Sequence, residues 1–129
     1  MNARHARHEI VVLTDAMLIT CIVQRGAADR VVQAAIDGGA QGATVFYARG
    51  TGVRQRHLGL LGITVSAEKE AIYVVAASEQ ADHIFEQMYL AANLDTPGMG
   101  MMYMSPLEKM ATYVPPQIVA RHAPPADAE

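Results

Sequence analysis

Residues 69–104 read "KEAIYVVAASEQADHIFEQMYLAANLDTPGMGMMYM", and three patterns follow one another within them. "KEAIYVVAAS" (69–78) is an apolar, β-branched run of strand length. "EQADHIFEQMYLAANL" carries Ile84, Phe85, Met88 and Leu90 to Ala92 on one side of a helix, with Ser78 where an N-cap belongs. "DTPGMG" supplies the Pro and Gly that end a helix, and "MMYMSPLEKMATYV" resumes as a strand. The stretch is therefore a βαβ unit. Its last strand raises a chemical question, because Met99, Met101, Met102 and Met104 could be thioether ligands for a soft metal ion. Successive strand side chains point to opposite faces. Met102 and Met104 then face one way and Met101 and Tyr103 the other, so the thioethers of one chain do not converge.

Upstream the same grammar occurs once more. "MLITCIVQ" (17–24) reads as a buried strand and Arg25-Gly26 as a turn. "AADRVVQAAIDGG" places Val31, Val32, Ala35 and Ile36 opposite Asp29, Arg30, Gln33 and Asp37, and Gly38-Gly39 is a helix stop. "GATVFYARG" (42–50) is the second strand. Two βαβ halves in tandem predict an α+β, ferredoxin-like βαββαβ sandwich, an antiparallel sheet with two helices on one face. The expected domain spans 17–114. Residues 1–16 form an N-terminal extension, in which "EIVVLT" (9–14) can add an edge strand. The Pro- and Ala-rich residues 115–129, "PPQIVARHAPPADAE", are expected to stay extended as a flexible tail.

Composition narrows the function. The chain of 129 residues suits one domain, and its formal net charge of −3 leaves no basic footprint for nucleic acid. Trp is absent and aromatics are few, which also speaks against base stacking. Cys21 is the only cysteine, so no disulfide framework or Cys-based zinc site is available. Glu9 and Asp15 interrupt the apolar N-terminal run, which predicts neither a signal peptide nor a membrane span but a cytoplasmic protein. No nucleophile–base, HExxH or P-loop signature is present, so an enzyme is not expected.

Between the halves, residues 50–68, "GTGVRQRHLGLLGITVSAE", far exceed the roughly 2–5 residues of an ordinary hairpin loop. Long loops on a rigid scaffold are where binding is often placed. The charged "AEKE" (67–70) reads as a solvated strand entry.

The strings "ARGTGVRQ" (48–55), "SAEKEAIYVV" (66–75) and "DTPGMGMMYMSPLEKM" (95–110), in this order, resemble the PII signal-transduction superfamily, in a divergent subgroup. The resemblance covers about residues 17–114. It implies a homotrimer with three clefts between subunits, each floored by a glycine loop and roofed by the base of a long T-loop. In the family, ATP or ADP sits there, 2-oxoglutarate joins through Mg²⁺, and the T-loop grips or releases a target, a membrane transporter or a metabolic enzyme.

Carried onto this chain, the T-loop is about 50–68, its base is Gly50-Thr51-Gly52, and the effector-facing Gln is Gln55, displaced by one residue. The phosphate-side turn is Gly98-Met99-Gly100. Met101 stands where the family keeps a lysine, and Ala111, Thr112 and Tyr113 occupy the last-strand region where it keeps basic residues. Arg49, Arg54 and Lys69 are the candidate replacement cations, with Lys109 farther off. The implied ligand is an adenine nucleotide (ATP, ADP or AMP) or a less charged metabolite. Arg54, Arg56, His57, Leu58, Leu60 and Leu61 form the expected partner-binding loop. The competing expectation is a CutA-like metal-binding trimer, which shares the ferredoxin-like plan.

Overall fold

The computed structural model describes residues 2–5, 10–50 and 67–122. The elements run β1 (Asn2–His5), β2 (Val11–Thr14), β3 (Ala16–Gln24), α1 (Ala28–Asp37), β4 (Thr44–Gly50), β5 (Ala67–Ala77), α2 (Ser78–Ala92), β6 (Gly100–Leu107) and α3 (Pro116–His122). Four strands form one sheet in the order β4-β5-β3-β6, every neighbouring pair antiparallel. This is the ferredoxin-like order that two tandem βαβ units generate, with β5 inserted between the parallel strands β3 and β4.

Strand alternation explains why one face holds the core. Ile19, Cys21 and Val23 of β3 and Ile72, Val74 and Ala76 of β5 meet Val31 and Ala35 of α1 and Ile84 and Met88 of α2 in a single buried cluster. Each large side chain so removed from water contributes about 1.5–3 kcal/mol. Both helices therefore lie on the same face. The buried stripe of α2 is Ala81, Ile84, Met88 and Ala92, at i, i+3, i+7 and i+11. Leu90, expected on that side, is 59% exposed, because it stands two positions off the stripe.

The helix ends differ from the expected signals. Ser78 is the first helical residue, not the cap; its backbone N–H donates to the Asp15 carbonyl at 2.9 Å, and Ala77 ahead of it is extended. Helix α1 starts after Ala27 with no capping side chain of its own. Its N-terminal amides are served from another strand: one Glu70 carboxylate oxygen accepts from the N–H of Gly26 and, at 3.3 Å, from that of Ala28. Glu70 is accordingly buried, contrary to the solvated strand entry expected for "AEKE".

The termini also depart from expectation. Residues of "EIVVLT" do form a strand, but β2 pairs with β1 in a separate two-stranded sheet and adds no edge to the main one. Leu13 exchanges backbone hydrogen bonds with Met110, at 2.8 and 2.9 Å. The stretch expected to stay extended contains α3, entered through Pro116 at the first helical position, where the missing N–H costs nothing. Seven residues rarely hold a helix alone; α3 lies against β1 with Ile118 and Val119 half-buried.

Candidate functional site

One end of the sheet gathers the chemistry. There β3 finishes at Gln24, β4 at Gly50, and β5 and β6 begin at Ala67 and Gly100. Across this end Ala48 is in register with Lys69, and Lys69 with Gln24. The next row pairs Arg49 with Glu68. Because neighbours in register share a face and successive residues alternate, these two rows sort onto opposite sides of the sheet.

On the side away from the helices stand Lys69, half-buried, and Gln24, whose Nε2 donates to the Gly98 carbonyl at 2.5 Å. That bond fastens the glycine turn to the end of β3. Gly98 has φ +82°, and Met99, half-buried, donates its N–H to the Thr96 carbonyl at 3.4 Å. Gly100 has φ +146° and lies opposite Val23. A Cβ there would stand 2.2 Å from the Ile22 carbonyl oxygen, so this glycine is required by strand contact before any ligand is considered. Met101 is 56% exposed on this open face, whereas Met102 and Met104 pack against the core, as the alternation predicts.

The same open face carries an apolar surface. Phe46 and Tyr73 make an edge-to-face pair with ring centroids 4.9 Å apart. Thr20, in register with both Tyr73 and Tyr103, is fully buried between neighbours that are themselves exposed.

On the helix side, Arg25, Tyr47, Ala48, Arg49 and Glu68 line an open cleft of about 560 Å³. Arg25 forms an ion pair with Glu68, and its backbone N–H also meets the Glu68 carbonyl at 3.4 Å. Arg49 is exposed and has no ion pair among the described residues.

Of the residues expected to hold a ligand, the structure thus brings Lys69 and Met101 to one face, and the turn Gly98, Met99 and Gly100 to the same end of the sheet. It puts Arg49 on the opposite face, and Gly50 at the far edge strand. From β4 to β6 there are three strand spacings, on the order of 14 Å, so the two glycine motifs do not meet within one protomer. Thr51, Gly52 and Gln55 lie outside the described residues, as do Arg54, Arg56, His57, Leu58, Leu60 and Leu61. Sequence reasoning missed Gln24, Arg25, Tyr47 and Glu68. Arg25-Gly26 was readable only as a turn, and no local pattern announces an ion pair between strands.

Two features bear on other chemistries. Burial pushes the Cys21 thiol up to about 11, which leaves it protonated and unreactive in neutral solution. Among the described residues no group of three His, Cys, Asp or Glu side chains is placed to hold a metal ion, and none of their helices is long and apolar enough to cross a membrane.

Comparison with known proteins matches residues 16–114 to the family model for nitrogen regulatory protein P-II. Among solved structures, the crystal structure of Arabidopsis thaliana PII bound to citrate is similar at a TM-score of 0.58 and 19% identity. The match covers 74% of this chain and 79% of that one. No curated protein sequence matches.

Proposed function

Since the chain belongs to the nitrogen regulatory protein P-II family, we propose that it is a PII-like regulator working as a homotrimer. In this reading a small effector binds in clefts between subunits and biases residues 50–68 between states that engage or release a target transporter or enzyme. One observation supports it: the residues expected to hold a ligand occupy one end of the sheet but opposite edges of it, so in this reading a complete cleft draws on a second copy. The open face supports such a copy. Phe46, Tyr73, Met101 and Tyr103 form an exposed apolar surface of the kind that marks protein contacts.

The effector follows from the cations on that face. Met101 puts a thioether at the turn where a phosphate contact would call for an ammonium, and among the described residues Lys69 is the cation on that face at this end. An adenine nucleotide of low charge, AMP ahead of ATP, fits this supply. The citrate of the Arabidopsis relative adds a small polycarboxylate as the second ligand class.

Calorimetric titration with ATP, ADP, AMP, 2-oxoglutarate and citrate, paired with limited proteolysis of the 51–66 segment, tests the proposal. Saturable binding that changes cutting supports it. Absence of binding and unchanged cutting with all five ligands removes the sensory role.

A further inference from the structure

The cleft on the helix side is chemically distinct from the glycine-turn face. Glu68 is the second residue of β5, in an ion pair with Arg25 and in register with Arg49. Arg25 already pairs with it, while Arg49, its cross-strand neighbour, has no such partner among the described residues. Tyr47 lies on the same face two residues before Arg49, 78% exposed, and its phenol can donate a hydrogen bond. The nearby N-terminus of α1 adds no free amides to the cleft at Gly26 and Ala28, because Glu70 accepts from both. Among the described residues that line the cleft, two guanidinium groups stand against the one carboxylate of Glu68, while Glu70 is engaged at the start of α1; the space of about 560 Å³ is a size usual for metabolite sites.

We propose that this cleft is a second small-ligand site, taking a carboxylate or phosphate group between Arg25 and Arg49. Glu68 is the built-in competitor. The ligand oxyanion replaces it on Arg25, using the planar donor fork that suits both groups, and Arg49 supplies the second charge. The exchange loosens one tie between the end of β3 and the start of β5. The site is separate from the proposed subunit cleft, since Lys69 and the glycine turn lie across the sheet.

The test is an NMR titration of the arginine Nε–Hε signals of the full chain, with inorganic phosphate in one series and succinate in another. The variants are Arg25→Gln, Arg49→Gln, Glu68→Gln and Lys69→Gln. Saturating shifts at Arg25 and Arg49 are expected, and the anion that saturates identifies the source chemistry. Either arginine variant should weaken binding about tenfold or more, the worth of a charge-assisted pair, and Glu68→Gln should tighten it. Arg25 and Arg49 are exposed, and unchanged melting temperatures confirm that folding is intact. Shifts that never saturate with either anion overturn the proposal. So does loss of binding in Lys69→Gln with retention in Arg25→Gln, or an unchanged affinity in Glu68→Gln.

Discussion

Replacing Gly100 by Ala separates what the fold demands of the glycine turn from what a ligand demands. The new Cβ would stand 2.2 Å from the Ile22 carbonyl oxygen and 3.2 Å from two further backbone atoms, where ordinary contact begins at 3.4 Å. Both sides of the contact are backbone, so no side chain can swing away; β6 must retreat from β3 by more than an ångström. A φ of +146° adds strain of about 1–3 kcal/mol for a residue with a side chain. Weakening the ladder where Gly100 faces Val23 and Met101 faces Ile22 costs about 1 kcal/mol for each hydrogen bond lost. The sum, about 2–5 kcal/mol, is a large share of the roughly 5–15 kcal/mol that holds a domain of this size. Urea unfolding of wild type and variant, with equal slopes, measures it. Gly98→Ala is the calibrating control: its φ of +82° predicts a loss of only about 1–2 kcal/mol. A Gly100→Ala protein within about 1 kcal/mol of wild type would refute the argument from strand contact. If that stable variant also lost its effector, the glycine would be explained by the ligand instead.

Further outcomes follow from the geometry. Glu70→Ala strips the Gly26 and Ala28 amides of their acceptor and should cost about 1–3 kcal/mol in urea unfolding, with Glu70→Gln, which keeps a carbonyl acceptor, losing less. The Cys21 thiol, raised by burial from 9.0 to about 11, should resist alkylation in mildly alkaline buffer and react promptly once urea unfolds the chain; equal rates in the two conditions contradict its burial. Because the unfolded thiol ionises first, Cys21 should also make stability fall as pH rises from about 9.0 towards 11, a decline that Cys21→Ala reduces. On the proposed function, Met101→Lys adds a cation beside the glycine turn and should raise ATP affinity about tenfold, while Tyr103→Lys on the open face should shift sedimentation of the proposed trimer to monomer with the far-ultraviolet dichroism unchanged.

The element order was legible because it is written locally. The apolar run in "KEAIYVVAAS", the helical stripe through Ile84 and Met88, and the break at "DTPGMG" each lie within a few residues of one another, and two such units in tandem leave few sheet orders open. The faces of Met101 and Met102 were legible for the same reason, since alternation needs only the strand itself. Leu90 was misplaced because a cluster of apolar residues near a helix end was read as one side of the helix, although its angular position lies off the stripe.

The site was far less legible. Within a window around residue 70, "AEKE" is a charged run, and nothing in it shows that Glu70 will cap a helix whose start lies 42 residues earlier. The tail is similar: "PPQIVARHA" is too short to hold a helix alone, and β1, more than a hundred residues away in sequence, lies against α3.

The sequence by itself determined the four strands of the main sheet, its two long helices, their order, and the family, because periodicity and turn residues act over short range. The tertiary structure alone decided the register of β4 on β5 and of β5 on β3. That register puts Lys69 with the glycine turn, sends Arg49 to the other face beside Arg25 and Glu68, and divides one expected ligand set into two. The physical reason is that a strand's partner is chosen by burial of a whole face, a property that no single strand contains.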